Sequence, residues 1–330
     1  MDRLLILFFC VIFSSCKEKI TNTEAQISSN TKIEGGIFGT FYQVTYSSKV
    51  NYKKQFDSLF YVINKSMSTY RIDSDISKLN RNELVTMGEH FKNVFNASKK
   101  IYIATNGAFD PTIGAVVNAW DFGPDGKITN LDSLKIDNLM ESVGFNKVSI
   151  IENRVVKQPN TFIDFNAIAK GYAVDVIADF LNKKNVENYL VNIGGELNVK
   201  GVNLEKKTGW TVGIENPNFD GSQSWDKVFY LKDKAMATSG VYRKFKIDEH
   251  GNRYSHIINA KTGYPSKTNL LSISVIADDC MTADAYATAF KAMGIEKIKA
   301  FLKQHQELKV FLIFENENQE FRTLGLNEFP

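Results

Sequence analysis

Residues 280–290, with the sequence CMTADAYATAF, form the stretch around which we expect the fold to be organised. Its many alanines give a high helix propensity, so the stretch predicts a helix. Asp284 and Thr288 are one helical turn apart and therefore lie on the same face of that helix. The small residues beside them allow another backbone to approach closely.

Two interpretations of this polar pair stay open from the helix alone. In the first, Thr288 bonds to its own helix and Asp284 pairs with a lysine elsewhere, because buried polar groups prefer such partners. In the second, the carboxylate and the hydroxyl are two of the oxygen ligands of a hard cation such as Mg²⁺.

Residues 1–15 have the features of a secretory signal. A charged start is followed by an almost entirely apolar segment at 4–13 and then by small residues. The apolar segment is too short to remain as a membrane-spanning helix. Because Cys16 follows the small residues, the pattern resembles a bacterial lipoprotein signal, in which Cys16 is lipidated; a plain secretory signal is the alternative. We therefore expect a protein of the bacterial cell envelope, lipid-anchored to a membrane and facing the periplasm.

Composition sets the domain organisation and the class of partner. Residues 16–34 are polar and predict a flexible tether, and residues 35–330 contain no linker, which predicts a single domain. A net charge of +3 without a long basic run argues against a nucleic-acid partner. A chain of 330 residues builds a core without disulfides, so Cys280 is expected to be a buried packing residue.

Strands and helices alternate too irregularly along the sequence for a doubly wound sheet. We expect an α+β fold with a mixed, mainly antiparallel sheet and helices packed on it. Residues 161–165, TFIDF, predict a buried strand that runs into a helix ending near Asn182. Such a junction leaves backbone N–H groups that are able to bind an anion.

Several catalytic motifs are missing from the sequence. It contains no P-loop, no Gly-x-Gly-x-x-Gly, no His-Glu-x-x-His and no Gly-x-Ser-x-Gly. The 4 histidines are not spaced as a metal pair, which argues against zinc. A catalytic metal would then be a hard ion bound by oxygen, and this favours the cation interpretation of Asp284 and Thr288.

Two further side chains are candidates for chemistry. His256 lies in a strand-turn region with small residues, where a structural role and a catalytic role are both open. Tyr70 lies in a polar loop, where its ring either stacks on a planar ligand or packs in the ordinary way.

The motifs taken together resemble the ApbE family of flavin transferases, the FAD:protein FMN transferases once called thiamine-biosynthesis lipoproteins. The resemblance rests on the motifs at 67–80, 107–112, 164–172, 192–195, 238–240, 255–265 and 283–288, which occur in the family's order. It covers roughly residues 35–315, and the lipoprotein-like start agrees with it.

The resemblance implies an enzyme that cleaves the pyrophosphate of FAD with the help of Mg²⁺. The FMN phosphoryl group would pass to a Thr or Ser hydroxyl of an acceptor protein, and AMP would be released. By match to the family, Asp284, Thr288 and the backbone carbonyl of Ala167 would hold the Mg²⁺. His256 would be the base that deprotonates the acceptor hydroxyl, acting with Asp284 as a catalytic residue.

The same resemblance implies a set of residues that contact FAD. Tyr70 would stack on the isoalloxazine, and the remaining contacts would come from Ala108, Phe109, Asp110, Asp164, Lys170 and Ile258. The acceptor would be an exported or membrane-bound redox protein, such as a subunit of a sodium-pumping NADH:quinone reductase or of an Rnf-type complex. Two alternatives share this site: a Mg²⁺-dependent FAD pyrophosphatase and a non-catalytic flavin-binding lipoprotein.

Overall fold

The computed structural model describes residues 30–240, 245–247 and 253–330. The predicted signal at 1–15, the predicted lipidation site Cys16 and most of the predicted tether at 16–34 lie outside these residues. Among the helices of the described part, none combines the length and the apolar character needed to cross a membrane.

Helices and strands alternate irregularly along the described chain. The helices are α1 (Lys53–Met67), α2 (Asp75–Asn80), α3 (Glu89–Ala104), α4 (Gly114–Ala119), α5 (Ser133–Met140), α6 (Ala169–Lys183), α7 (Cys280–Met293) and α8 (Ile295–Leu302). The strands are β1 (Thr31–Ile37), β2 (Thr40–Tyr46), β3 (Ser149–Ile151), β4 (Arg154–Val156), β5 (Tyr189–Ile193), β6 (Glu196–Lys200), β7 (Trp210–Glu215), β8 (Trp225–Leu231), β9 (Lys234–Gly240), β10 (Phe245–Ile247), β11 (Arg253–Ser255), β12 (Leu270–Ala277), β13 (Lys309–Glu315) and β14 (Phe321–Leu326). A 3₁₀ turn lies at Phe145–Lys147.

The central sheet has 8 strands in the order β1-β2-β5-β6-β9-β12-β13-β14. Each neighbouring pair in it is antiparallel. The pairs β3–β4, β7–β8 and β10–β11 form separate two-stranded ribbons. The predicted α+β class with a mainly antiparallel sheet is therefore confirmed.

The folded domain begins before the predicted boundary at residue 35. Strand β1 starts at Thr31, so residues 31–34 belong to the sheet and not to the tether. Ile33 pairs with Val44 of β2 and is buried in the core. One buried apolar residue among polar neighbours is enough for an edge strand, and the polar composition of this segment hid it from the sequence analysis.

Strand β12 is buried along its whole length because both faces of the sheet are covered there. Helix α7 packs on β12 and β9 on one side. On the other side the β7–β8 ribbon places Trp210 and Val212 against Ile276 of β12. A strand that is covered on both faces is mostly apolar and does not alternate with exposed polar residues, and in β12 the residues other than Ser272 and Ser274 are apolar.

Residues 161–165 do not form the predicted strand. The segment is extended, but Phe162 forms only an isolated parallel bridge, with Ile113. The side chain of Asn80 takes the place of a neighbouring strand: it donates to the Ile163 carbonyl over 2.9 Å and accepts from the Ile163 N–H over 2.8 Å. A long-range amide clamp of this kind leaves no signal in the local sequence.

Helix α7 begins where the carboxylate of Asp279 accepts from the N–H of Thr282 over 2.7 Å. Helix α6 crosses it closely at Gly171, where a Cβ would lie 2.3 Å from the Cys280 carbonyl oxygen. The Asp175 carboxylate of α6 accepts from the backbone N–H groups of Cys280 and Met281 at 2.9 and 2.8 Å. These contacts lock the start of α7 onto α6.

We expect Gly171→Ala to lower the free energy of unfolding by about 1–3 kcal/mol, because the new methyl group would collide with backbone and not with a movable side chain. Urea denaturation measures this change. The matched control is Gly36→Ala, since the nearest atom to a Cβ there is 3.8 Å away. Equal stability of the two variants would contradict the close crossing.

Candidate functional site

A cleft of about 1210 Å³ runs between the loops on one side of the sheet and the α6–α7 pair. All the residues that the resemblance implies for FAD, for Mg²⁺ and for proton transfer line this one cleft: Tyr70, Ala108, Phe109, Asp110, Asp164, Ala167, Lys170, His256, Ile258, Asp284 and Thr288. They come from segments that are far apart in the sequence. The fold therefore brings together the whole predicted set, whose individual roles stay predictions.

One wall of the cleft is the loop that carries Ala108, Phe109 and Asp110. Asp110 is buried, and one of its carboxylate oxygens accepts from the N–H and the hydroxyl of Thr112 at 2.9 and 2.6 Å. The other oxygen accepts from the N–H of Phe145 over 3.2 Å. Burial raises the pKa of Asp110, and these hydrogen bonds oppose that rise. The Asp110 carboxylate thus stabilises the conformation of the loop, a structural role that was not predicted from the sequence.

Asp164 lies on the segment before α6, next to the same loop. Its N–H donates to the carbonyl of Pro111 over 2.8 Å, which joins the two segments. Its carboxylate accepts from the backbone and the side-chain amide of Asn166 at 2.7 and 3.0 Å. Asp164 and Asp110 therefore both stabilise the backbone that forms the cleft wall.

Tyr70 lies in the turn after α1, at the mouth of the cleft. Its side chain is 61% exposed, so one face of the ring is available to a ligand. Partial burial of the residue and the negative charge of Asp164 raise its pKa. An exposed aromatic ring at the rim of a cleft suits stacking on a planar group, as the sequence analysis predicts.

His256 directly follows β11 and faces the interior of the cleft. Its imidazole packs edge-on against the Phe122 ring, with 6.2 Å between the ring centroids. Ile258 is buried two residues later and forms an isolated bridge with Pro265. The turn that follows His256 is thereby fixed, so the imidazole is held on a well-packed segment.

The polar face of α7, which carries Asp284, contacts the first turn of α6. Asp284 is only 6% exposed, and its carboxylate accepts from the N–H of Gly171 over 3.0 Å. Gly171 is in the first turn of α6, where N–H groups lack helical partners. Because this N–H binds Asp284, the carbonyl of Ala167 has no backbone partner among the described residues. The Asp284 carboxylate thus lies at the start of α6, and Ala167 lines the same cleft.

The lysine whose charge acts on Asp284, Lys170, is paired with another carboxylate. The ammonium of Lys170 pairs with the carboxylate of Glu196, which is buried. Burial lowers the pKa of Lys170, but the charges of Glu196 and Asp284 outweigh this effect and raise it. Burial raises the pKa of both carboxyl groups, and the Lys170 charge opposes that rise. Among the described residues Asp284 forms no direct salt bridge, although the charge of Lys170 acts on it.

Glu196 is a cleft residue that the sequence analysis missed as a functional candidate. It is the first residue of β6 and follows Gly194 and Gly195, whose φ angles are +64° and +110°. These conformations favour glycine and produce a tight hairpin turn. The Gly-Gly turn was visible in the sequence, but the burial of the next residue beside Lys170 was not.

The oxygen atoms around Asp284 suit a hard cation. Asp284, Thr288 and the Ala167 carbonyl all border the cleft and offer a carboxylate, a hydroxyl and a carbonyl oxygen. Within residues 30–240, 245–247 and 253–330, no cluster of three or more His, Cys, Asp or Glu side chains is arranged for metal binding. Magnesium needs no such cluster, because it is commonly held by one or two carboxylates and by substrate phosphates.

Comparisons with known proteins agree with this geometry. The ApbE family model matches residues 38–312. An FAD:protein FMN transferase of Haemophilus influenzae is 33% identical over 303 residues, which cover 87% of each chain. One of Escherichia coli K12 is 29% identical over 336 residues, which cover 97% of this chain and 94% of the relative.

Solved structures give the same result. The flavin transferase ApbE from Vibrio cholerae superimposes with a TM-score of 0.80 at 32% identity, over 90% of this chain and 97% of that one. The apo flavinyl transferase ApbE of Pseudomonas stutzeri also has a TM-score of 0.80, at 29% identity, over 90% of this chain and 94% of that one. The resemblance that the motifs predict is confirmed, and the chain belongs to the ApbE family.

Proposed function

We propose that this protein is an enzyme that transfers FMN from FAD to a Ser or Thr hydroxyl of an acceptor protein and releases AMP. The observation that carries the proposal is the meeting of Lys170, His256 and Asp284 at one large cleft. At about 1210 Å³ the cleft exceeds the ~300–1,000 Å³ typical of sites for drug-sized ligands and has room for a dinucleotide. The activity for which the relatives are named, FAD:protein FMN transfer, supports the same proposal.

The reaction breaks the bond between the bridging oxygen of the pyrophosphate and the FMN phosphorus. The acceptor oxygen forms a new bond to that phosphorus, AMP leaves with the bridging oxygen, and His256 takes the hydroxyl proton. Phosphoryl transfer depends mainly on charge neutralisation and alignment. Tyr70 would orient the flavin ring, and Lys170 would add positive charge near the phosphates.

Asp284, Thr288 and the Ala167 carbonyl would hold Mg²⁺ in this proposal. The support is their shared oxygen chemistry and the Ala167 carbonyl, which has no backbone hydrogen-bond partner among the described residues because the Gly171 N–H binds Asp284. When bound, the ion would neutralise charge on the pyrophosphate oxygens.

The acceptor in this proposal is an exported or membrane-bound redox protein, such as a subunit of a sodium-pumping NADH:quinone reductase or of an Rnf-type complex. The proposal also includes cleavage after residue 15, lipid attachment at Cys16 and a location in the bacterial cell envelope facing the periplasm. The support for this part is the signal-like composition of residues 1–16.

Two other functions would use the same cleft. A Mg²⁺-dependent FAD pyrophosphatase would transfer the FMN phosphoryl group to water. A flavin-binding lipoprotein would hold FAD without turnover. A non-catalytic binding protein leaves the position of His256 at the cleft unexplained, because it needs no base. A pyrophosphatase would use the same base to deprotonate water, so the measurement of products separates it from the transferase.

Asp284→Ala should reduce covalent FMN attachment to an acceptor fragment at least about 100-fold, because the variant loses a preorganised charged group at the phosphate site. The measurement is in-gel flavin fluorescence of the acceptor after incubation with FAD and Mg²⁺. Removal of Mg²⁺ with EDTA should abolish transfer by the wild type. The matched control is Asp278→Asn, since Asp278 is an exposed carboxylate just before α7. Full activity of Asp284→Ala at limiting Mg²⁺ would refute the metal assignment.

His256→Ala should slow FMN transfer about 100-fold or more, while FAD affinity changes little, because the acceptor hydroxyl loses its base. Time-course assays of FMN transfer measure the rate. Titration with FAD, followed by flavin fluorescence, measures the affinity. Wild-type protein incubated with FAD alone should release FMN and AMP much more slowly than it transfers FMN. Fast release without an acceptor would favour the pyrophosphatase, and tight binding with neither reaction would favour the binding protein.

Cys16→Ser should move the protein from the membrane fraction to the soluble periplasmic fraction of expressing bacteria, because a lipid anchor is lost. Immunoblots of the fractions measure this, and mass spectrometry of the wild type should find lipid on Cys16 at the mature N-terminus. If the wild-type protein is found in the soluble fraction and its Cys16 carries no lipid, residues 1–15 are a plain secretory signal.

A further inference from the structure

We propose that Glu196 is a positioning residue that keeps the Lys170 ammonium away from Asp284, so that Asp284 stays available to a cation. This inference rests on the cation site of the proposed function. It assigns a role to a residue that takes no part in the chemistry itself.

Two carboxylates, those of Glu196 and Asp284, act on the ammonium of Lys170. Lys170 precedes Gly171, whose N–H binds Asp284, and the charges of both Asp284 and Glu196 act on its ammonium. A lysine side chain has a flexible stem of four carbons and is able to reach either carboxylate. In the structure it pairs with Glu196, and Asp284 appears in no ion pair among the described residues.

The ion pair between Lys170 and Glu196 is buried on the Glu196 side, which costs free energy of desolvation. The Glu196 side chain is 5% exposed, and its second carboxylate oxygen has no hydrogen-bond partner within the described part of the chain. A buried ion pair with an unsatisfied oxygen is a poor source of stability compared with apolar packing. The pair therefore calls for a functional reason, which the neighbouring Asp284 supplies.

The Lys170 ammonium and a metal ion would compete for the Asp284 carboxylate. A metal ion and an ammonium group are rivals for one buried carboxylate, since each neutralises it. Without the charge of Glu196, the nearest carboxylate for the Lys170 ammonium would be Asp284. Cation binding would then have to displace the lysine. Glu196 removes this competitor and still leaves the positive charge of Lys170 in the cleft.

The test is direct binding of Mn²⁺, a spectroscopic substitute for Mg²⁺, to the full folded protein without FAD. Electron paramagnetic resonance counts free Mn²⁺ and gives the dissociation constant. We expect Glu196→Gln to weaken binding about 10-fold to 100-fold, the range found when a residue that supports a metal ligand is removed. Glu196→Asp keeps the charge with a shorter reach and should give an intermediate value.

The decisive variant is Lys170→Met combined with Glu196→Gln. Asp284 then carries the only charge of the three, so their net charge is −1, as in the wild type. If Glu196 acts by diverting Lys170, Mn²⁺ affinity should return to within about twofold of the wild type. If the Gln substitution only damages the fold, the double variant should bind no better than Glu196→Gln, and the inference fails.

Thermal melting accompanies each titration, and Glu296→Gln is the matched control. Glu296 pairs with Lys299 on the exposed surface of α8, so its loss should change neither Mn²⁺ affinity nor melting. Should Glu196→Gln not fold, the double variant and Glu196→Asp still test the inference. Equal Mn²⁺ affinity in wild type and Glu196→Gln would overturn this inference alone. A wild type that binds no Mn²⁺ would overturn the cation site and the inference together.

Discussion

The close crossing of α6 and α7 at Gly171 is the contact on which the site depends. With no side chain at Gly171, the backbone of α6 approaches to where a Cβ would lie 2.3 Å from the Cys280 carbonyl oxygen. At this separation the Gly171 N–H reaches the Asp284 carboxylate, and it does so instead of bonding to Ala167. One packing constraint therefore orients a carboxylate and leaves a carbonyl open beside it. A larger residue at Gly171 would disturb both.

The charges at this crossing are not fully compensated by one another. Asp284 and Glu196 are both buried, and within the described part of the chain the ammonium of Lys170 is the one positive charge that acts on both. The cluster is thus short of one positive charge. Protonation would remove the unfavourable free energy of a buried negative charge. Burial accordingly raises the pKa of both carboxyl groups. A bound cation would relieve the same deficit and keep both groups ionised.

Local signals predict the parts of this site that lie within one element, and they fail for parts that depend on distant contacts. The alanine-rich stretch predicts α7, and its spacing predicts that Asp284 and Thr288 share a face. The order of the motifs then predicts the candidate residues for FAD, Mg²⁺ and proton transfer that the cleft brings together. The sequence cannot reveal that Asn80 clamps Ile163, which replaces the expected strand at 161–165, because the two segments are far apart in the chain. Glu196 was missed for the same reason.

The distribution of charge in the cleft indicates where the pyrophosphate of FAD would lie. The carboxylates of Asp110 and Asp164 are engaged by nearby hydrogen-bond donors and shape the wall. They offer little to a negatively charged group. The ammonium of Lys170, on which the charge of Asp284 acts, is the complementary partner for phosphate charge. We therefore expect the pyrophosphate at the α6–α7 crossing and the flavin ring toward Tyr70 at the mouth, where an acceptor protein has access to it.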